Sequence, residues 1–440
     1  MTRRTFLQSG LISGAALSSA WPRFALATPA GPDAVPTSDL QREIDRNRQA
    51  DGLITVSAGG KPITGVHVSL EQVSHEFLFG CNFFQFGRIE NADLEERYRQ
   101  QFAALFNFCT LGFYWANFES RRGSPGYDYI DRSVAWAQAH GLRCKGHPLV
   151  WDHPASSPRW LPSDHAEVAA LSDARVRDII SRYRGRIEIW DVVNEATHLP
   201  EKTVNHTTMA EWGAELGSVE YTRRALKIAR STNPAATLLV NDYRTDDKYH
   251  ALLAALRKET PSLFDVVGIQ SHMHGGTWDT RKTKEICDRF AGLGLPLHFT
   301  EVTILSGPRS GPGENWGDTT PELETRQAED VARFYTELFA HPAVEAITWW
   351  DFSDYHSWQR AAAGFLRKDM SPKPVYEELL RLVKKQWWSR KEFTTDEKGQ
   401  AALRLFGGKH RLNFTLPNGE KMTRDISWQR KTSNAVQISL

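Results

Sequence analysis

Two glutamates directly follow apolar segments and could act as a pair of acidic groups. Glu195 ends the segment Ile-Glu-Ile-Trp-Asp-Val-Val-Asn-Glu, and Glu301 ends Leu-Pro-Leu-His-Phe-Thr-Glu. A carboxylate is costly to bury unless it is paired or used, and neither segment contains arginine or lysine. Two carboxyl groups facing one cavity can cleave a glycosidic bond, because one donates a proton while the other attacks or activates water. For either glutamate taken alone, a structural ion pair is the alternative.

Other polar and aromatic side chains stand at the ends of similar apolar segments. In a (β/α)-barrel, active-site residues lie at the carboxyl ends of the strands, so these positions are candidates for substrate contacts. Together they predict a cleft of carboxylate, amide, imidazole and indole groups. In chain order the candidates are His147, Trp151, Asn194, Asn241, Asp242, Tyr243, Gln270, His272, Trp349, Trp350 and Asp351.

Eight short apolar runs, separated by helical patterns, organise most of the chain. Apolar strands that alternate with amphipathic helices indicate a parallel sheet covered by helices, and eight such units predict a closed (β/α)8 TIM barrel of the α/β class. A doubly wound open sheet is the alternative, disfavoured because no glycine-rich phosphate-binding turn follows the first strand. The predicted strands are Glu76–Phe83, Phe106–Gly112, Arg143–Trp151, Ile187–Glu195, Thr237–Tyr243, Val266–His272, Pro296–Val302 and Ala346–Phe352.

The segments that flank the barrel alternate in polarity and are too short to bury separate cores. Gly52–Glu71 offers about two strands and Phe393–Leu440 about four or five. We therefore expect one β-sandwich built from both ends of the chain, with a pattern that resembles small immunoglobulin-like modules. Two separate appendages are the alternative. The predicted layout is a signal at 1–27, a linker with a helix at 28–50, sandwich strands at 51–75, the barrel at 76–388 and further sandwich strands at 389–440.

The first 27 residues are predicted to be an export signal. Arg3 and Arg4 precede a charge-free, weakly apolar stretch, and Ala25-Leu-Ala27 has the form of a signal-peptidase site. Paired arginines of this kind resemble a twin-arginine signal, so a periplasmic or extracellular location is expected. A frayed basic N-terminus is the alternative. Beyond it, no run of about 18 apolar residues predicts a membrane helix.

Composition and charge restrict the class of protein. With 40% hydrophobic residues the chain can bury a large core, and 54 basic against 53 acidic residues leave a net charge of +1. Without a long basic run, nucleic-acid binding is disfavoured. The four cysteines form no Cys-x-x-Cys pair and are predicted to be structural thiols rather than disulfides. They are Cys81, Cys109, Cys144 and Cys287.

Six motifs follow one another along residues 76–388. They are Gly146-His-Pro-Leu-Val-Trp151, Trp190-Asp-Val-Val-Asn-Glu-Ala196, Asn241-Asp-Tyr243, Gly268-Ile-Gln-Ser-His272, Phe299-Thr-Glu301 and Ile347-Thr-Trp-Trp-Asp351 with Ser357-Trp358. In this order they resemble the motifs of glycoside hydrolase family 10, the retaining endo-β-1,4-xylanases. The resemblance implies that Glu195 is the general acid/base and that Glu301 is the nucleophile that forms a covalent glycosyl-enzyme. Retention implies carboxyl groups about 5–5.5 Å apart, whereas a gap above about 6.5 Å indicates inversion.

The division of labour between the glutamates predicts opposite ionisation. The acid must stay protonated near neutral pH, so the site should raise the pKa of Glu195, while Glu301 should stay charged beside His272. Asn194 would meet the sugar 2-hydroxyl, and Trp349 and Trp358, which match family positions, would stack on sugar rings. The expected substrate-binding residues are His147, Trp151, Asp152, Asn194, Asn241, Tyr243, Gln270, His272, Trp349 and Trp358.

No metal, cofactor, nucleic acid or membrane is expected as a partner. His272 and His274 resemble a metal pair, but no third ligand motif accompanies them. The expected partner is a polysaccharide or oligosaccharide, bound by a monomer.

The second predicted strand departs from the family pattern. Family members carry Thr-Pro-Glu-Asn-x-x-Lys there, whose Glu, Asn and Lys hold sugars on the non-reducing side of the cut. This chain has Thr110-Leu-Gly-Phe-Tyr-Trp115, and Asp152 replaces the histidine that usually follows the motif ending at Trp151. Losing groups that bind hydroxyls should relax or redirect the choice of glycone. Three functions stay open: an endo-xylanase, a specialised or exo-acting β-glycosidase, and a non-catalytic carbohydrate-binding protein.

Overall fold

Eight parallel strands close into a barrel, which confirms the predicted (β/α)8 architecture and excludes an open sheet. The computed structural model describes residues 37–199, 201, 205–307, 317–416 and 418–440, so the predicted signal at 1–27 lies outside the described residues. Each strand pairs with the next in chain order, and the last pairs with the first. The barrel strands are β4 (Leu78–Asn82), β5 (Phe108–Gly112), β6 (Arg143–His147), β7 (Ile189–Asn194), β8 (Thr237–Asp242), β9 (Val266–His272), β10 (Leu297–Thr303) and β11 (Val344–Trp349).

Helices follow the barrel strands, and short polar side chains start several of them. Asn91, Asp164, Asp246, Asp279 and Thr320 each accept a backbone N–H of the first helical turn, which satisfies donors that lack a partner inside the helix. No helix in the described part of the chain is both long and apolar enough to cross a membrane. The helices are α1 (Thr37–Arg48), α2 (Ala92–Leu105), α3 (Trp115–Phe118), α4 (Tyr127–Ala139), α5 (His165–Arg182), α6 (Thr208–Thr232), α7 (Asp247–Leu256), α8 (Thr280–Ala291), α9 (Pro321–Ala340) and α10 (Pro374–Arg381).

Both ends of the chain build one β-sandwich, as predicted, and the alternative of two separate appendages is wrong. The strands are β1 (Gln49–Ala58), β2 (Lys61–Pro62), β3 (His67–His75), β12 (Arg390–Thr394), β13 (Gln400–Phe406), β14 (Gly408–Thr415), β15 (Lys421–Trp428) and β16 (Asn434–Ser439). In one sheet, β1 lies between β13 and β16 and also pairs with β2; in the other, the order is β12-β3-β14-β15. The inner faces share one apolar core that draws on both termini, including Ile54, Val68, Leu412 and Trp428.

Two arginines fasten the sandwich to the amino-terminal end of the barrel. Arg48, at the end of α1, is buried and donates to the carbonyl oxygens of Phe339 and His341, which are left without helical partners where α9 ends. Arg430 forms an ion pair with Glu345 of β11 at 2.6 Å. The sandwich therefore lies away from the carboxyl ends of the strands, where the predicted site residues are.

All four cysteines are buried as free thiols. Cys109 and Cys144 face each other across β5 and β6, with their sulfur atoms 3.7 Å apart. Their burial matches the predicted role as small apolar residues.

The shared core makes β1 depend on the C-terminal strands. Trp428 is buried, donates to Ala50 O at 2.9 Å, and covers Gly52, where a Cβ atom would lie 2.4 Å from its ring. We expect Trp428→Ala to lower the free energy of unfolding by about 3–5 kcal/mol and to speed amide exchange in β1. Denaturant titration and hydrogen exchange measure both effects.

The matched control is Trp358→Ala, because Trp358 is 42% exposed. It should cost less than about 1 kcal/mol. Unchanged exchange in β1 of the Trp428→Ala protein would show that the common core does not hold this strand.

Candidate active site

Glu195 is placed at the barrel mouth by an unusual backbone turn. It follows β7 directly and has a left-handed conformation, with φ 54° and ψ 39°. Its N–H donates to Asn241 O at 2.8 Å, which ties the turn to the end of β8. This conformation costs a non-glycine residue about 1–3 kcal/mol, and strain of this kind concentrates at functional sites.

Glu301 lies within β10 where the strand pairing is irregular. The register with β9 shifts between Phe299 and Glu301, and bulges of this type change the direction of a side chain. Glu301 is almost fully buried. Its Oε2 lies 3.0 Å from His272 Nε2, and its Oε1 accepts from Asn241 Nδ2 at 2.8 Å.

A chain of amides joins the two carboxyl groups. Gln270 Nε2 donates to Glu195 Oε1 at 2.9 Å and to Asn194 Oδ1 at 3.2 Å. Asn241 Nδ2 donates to Asn194 Oδ1 and to Glu301 Oε1, each at 2.8 Å. Both carboxyl groups therefore belong to one hydrogen-bonded network. The separation of about 5–5.5 Å expected for retention stays a prediction.

The two carboxyl groups have opposite electrostatic surroundings. Burial and the charge of Glu301 raise the pKa of Glu195 to about 8. Burial opposes ionisation of Glu301 as well, but His147 and His272 outweigh it and hold the pKa of Glu301 below its ordinary value of 4.5. At neutral pH the site thus holds one protonated and one ionised carboxyl group, which is the division expected from sequence.

Several of the remaining predicted residues also lie at this mouth. Trp151 Nε1 lies 3.2 Å from Glu195 Oε2 and donates to it. His147 Nε2 lies 3.7 Å from Glu301 Oε1. Tyr243 and Trp358 are 45% and 42% exposed, so both rings are accessible. The Trp358 ring lies 4.6 Å from that of His272.

Trp349 does not occupy the position expected from its motif. Its ring is fully buried against Phe365, and its Nε1 donates to Ala363 O at 3.0 Å. Neighbouring strand residues point to opposite faces, so the next residue, Trp350, is the one that contacts the site. The Trp350 ring lies 5.5 Å from that of His147 and 5.7 Å from that of His272.

Asp152 is also not placed for a direct substrate contact. It is 1% exposed, and its Oδ2 lies 3.0 Å from His198 Nε2 and accepts from Asn205 Nδ2 at the same distance. Its position next to Trp151 suggested a role in substrate binding, but the side chain supports the loop behind that residue.

Comparison with known proteins identifies the family. The sequence profile of glycosyl hydrolase family 10 matches residues 74–382. The chain belongs to this family. The resemblance read from the motifs is thereby confirmed, and family 10 comprises enzymes that hydrolyse glycosidic bonds.

Individual relatives are distant and often longer. The chain is 27% identical over 314 residues to endo-1,4-beta-xylanase B of Thermotoga neapolitana, covering 66% of this chain and 84% of that protein. It is 25% identical over 382 residues to anti-sigma-I factor RsgI6 of Acetivibrio thermocellus, covering 85% of this chain but 46% of that protein. The fold matches xylanase 10B from Thermotoga petrophila RKU-1, solved in complex with xylobiose, with a TM-score of 0.59 at 23% identity, covering 71% of this chain and 95% of that one.

The family 10 barrel carries an aromatic wall that motif analysis did not assemble. Phe84, Tyr114 and Trp350 form this wall, with the Phe84 ring 5.7 Å from Tyr114 and 5.4 Å from Trp350, both edge to face. Tyr114 also lies 5.9 Å from Trp151. Burial and the charges of Glu301 and Glu195 raise the pKa of Tyr114, so its hydroxyl stays a neutral donor beside the carboxyl groups. The segment Thr110–Trp115, which differs from the family pattern, could have pointed to Tyr114, whereas no sequence motif includes Phe84.

Across residues 37–199, 201, 205–307, 317–416 and 418–440, no three His, Cys, Asp or Glu side chains are grouped to hold a metal ion.

A titration can test how the hydrogen bond from Gln270 affects the pKa of Glu195. The donated hydrogen bond favours the ionised form of Glu195, so its removal in Gln270→Ala should move the pKa of Glu195 above about 8. Carbon-13 NMR of labelled glutamate carboxyl groups measures this. Gln100→Ala, on the exposed face of α2, is the control and should leave both titrations in place. Titration of Glu195 near the range of an exposed glutamate would contradict the proposed surroundings.

Proposed function

We propose that this chain hydrolyses β-glycosidic bonds of plant-cell-wall polysaccharide with retention of configuration, most simply as an endo-1,4-β-xylanase. The observation that carries the proposal is the linked pair of buried carboxyl groups, one with a raised and one with a lowered pKa. Several relatives are endo-1,4-beta-xylanases, which supports xylan as the substrate.

In the first half of the reaction, Glu195 acts as the general acid. It donates its proton to the departing glycosidic oxygen while Glu301 Oε attacks the anomeric carbon, so one C–O bond breaks as another forms. In the second half, Glu195 is a carboxylate and takes a proton from water, which displaces Glu301 and releases the sugar. The inversions at the two steps cancel, which accounts for retention.

The amides orient the sugar in this scheme. Asn194 Oδ1 already accepts from Gln270 and Asn241, which leaves Asn194 Nδ2 as the atom that can donate to the 2-hydroxyl of the bound ring. A hydrogen bond at that hydroxyl strengthens as positive charge develops on the ring. Trp350 and Trp358 supply apolar faces for the sugar rings.

Replacement of the nucleophile tests the proposal. We expect Glu301→Gln to lower kcat/KM for an aryl β-xylobioside by at least about 10³-fold, because a neutral amide cannot attack the anomeric carbon. The matched control is Glu285→Gln, since that glutamate lies exposed on α8 and should leave turnover unchanged. Unaltered turnover in Glu301→Gln would eliminate the nucleophile assignment. A bound but uncleaved substrate in the wild-type protein would favour a non-catalytic carbohydrate-binding protein instead.

The aromatic wall favours one alternative, a specialised or exo-acting β-glycosidase on the same machinery. Strand β5 ends in Gly112, and the buried Leu111 and Phe113 offer no polar side chain to a sugar. Burial and the charges of Glu301 and Glu195 act on the Tyr114 hydroxyl and raise its pKa. A glycone beyond the first ring would meet ring faces more than hydrogen-bond donors, which suits a decorated chain, another β-linked sugar or a substituent with apolar surface.

Chain-length dependence distinguishes the two enzyme functions. If the aromatic wall shapes the glycone side, a second sugar adds little, and kcat/KM for an aryl β-xylobioside should exceed that for the aryl β-xyloside by less than about tenfold. Tyr114→Ala should change this ratio. Tyr127→Ala should not, because the Tyr127 hydroxyl contacts Asp178 on α5, away from the wall. Equal or better activity on linear xylan than on decorated xylans and other β-glycosides would refute the altered preference.

We also propose that residues 1–27 direct export through a twin-arginine route to the periplasm or the exterior, and that the protein acts as a monomer. The sequence pattern of Arg3, Arg4 and Ala25–Ala27 supports export.

A further inference from the structure

A buried ion pair lies next to the histidine that faces Glu301. Lys145 Nζ lies 2.6 Å from Asp191 Oδ2, and the same Asp191 oxygen lies 2.8 Å from His147 Nδ1. The three side chains are each at most 1% exposed. His147 then turns its other ring nitrogen, Nε2, toward Glu301 Oε1 at 3.7 Å. An ion pair, one hydrogen bond and a close contact between charged groups thus form a continuous line from Lys145 to Glu301.

Strand geometry explains why these residues meet. Lys145 and His147 are two positions apart on β6, so both side chains point to the same face. Lys145 pairs in register with Ile189, which places Asp191 beside His147 on β7. The intervening residue, Gly146, faces the other way, where an added Cβ atom would lie 2.1 Å from the Trp190 ring. The glycine lets β6 and β7 approach closely enough for the ion pair to form.

The ion pair determines which nitrogen of His147 carries the proton. Burial by itself opposes ionisation of Asp191, but Lys145 and His147 outweigh it and hold the pKa of Asp191 below its ordinary range. An ionised carboxylate can only accept, so His147 Nδ1 must be the donor. A ring held in this way keeps Nε2 directed at the nucleophile, and the imidazolium form, with a proton on each nitrogen, presents an N–H and a positive charge to the Glu301 carboxylate.

We propose that Lys145 and Asp191 are positioning residues that orient His147 and thereby keep Glu301 ionised and ready to attack. The inference rests on the proposed function of Glu301. Neither residue contacts the reacting atoms; both act through His147, and Lys145 adds a positive charge beneath the site.

Other groups near this line contribute to the same electrostatic environment and must be considered in the test. Burial lowers the pKa of His298 of β10, and the charges of Lys145 and Asp191 both act on it: the first lowers this pKa further and the second raises it. The titratable groups that face Glu301 itself, from the elements around it, are His147, His272, Lys145, Glu195 and Tyr114.

Lys145→Gln removes the charge and keeps a donor beside Asp191, whose hydrogen bond with His147 stays in place. We expect the acidic limb of the kcat/KM profile to move upward by about one pH unit, which lowers kcat/KM about tenfold at pH values below the limb and much less at neutral pH. An aryl β-xylobioside with a good leaving group is the probe, because its acidic limb reports the nucleophile.

Two variants separate positioning from stability. Lys145→Arg keeps the charge and should restore the wild-type limb. Lys373→Gln breaks a buried pair of the same geometry, with Lys373 Nζ 2.6 Å from Asp354 Oδ2, and should lower stability without moving the limb. An unmoved limb in Lys145→Gln, or the same displacement in Lys373→Gln, would overturn the inference.

The wild-type protein supplies a test that does not depend on the folding of a variant. Nitrogen-15 NMR of its histidines should show His147 with a proton on each ring nitrogen, and a ring with a single proton, at either nitrogen, would overturn the inference. If Glu301→Gln keeps its activity, the proposed function fails. If Glu301→Gln is inactive while Lys145→Gln keeps the wild-type profile, the positioning role alone fails.

Discussion

The site depends on a difference in ionisation between two carboxyl groups that share one poorly solvated cleft. Two negative charges in such a place repel each other and lose hydration, so both cannot be ionised cheaply. The structure surrounds Glu301 with His147 and His272, whereas the hydrogen bonds to Glu195 come from the neutral donors of Gln270 and Trp151. The imbalance in partners leaves the charge on one group and the proton on the other.

The carboxyl groups of Glu195 and Glu301 and their partners, which are costly to bury, lie apart from the contacts that stabilise the fold. Polar side chains converge at the carboxyl ends of the barrel strands, and the sandwich attaches at the amino ends through Arg48 and Arg430. Arg430 itself bridges to Glu345 at the start of β11. Backbone strain at Glu195 is tolerated because β7, which ends directly before it, is paired with β8 up to Asn194 and Asn241.

Sequence patterns predicted the elements and most of the cleft because both depend on local order. Apolar runs located all eight barrel strands, and the residues that end them included both glutamates. The prediction that Trp349 stacks on a sugar ring was wrong because neighbouring residues of a strand point to opposite faces, and the motif contains two adjacent tryptophans. Phe84 and the pair of Lys145 with Asp191 were missed because their roles come from contacts between strands that are distant in sequence. Opposite pKa values were expected from chemistry, but their size depends on burial, which a sequence does not give.

Two buried lysine–aspartate pairs in the same barrel show how position gives one chemistry different uses. Burying such a pair costs desolvation energy that its Coulomb attraction only partly returns, so neither pair is explained by stability alone. Lys373 also donates to Ser306 Oγ at 2.8 Å, and its partner Asp354 accepts from Gly364 N–H, so this pair fixes the loop that follows β11. Lys145 and Asp191 have no such loop to hold, because both lie within barrel strands. The desolvation cost of this pair has an explanation if the pair acts on a neighbouring side chain instead. His147 is that neighbour, because its ring contacts Asp191 on one side and Glu301 on the other.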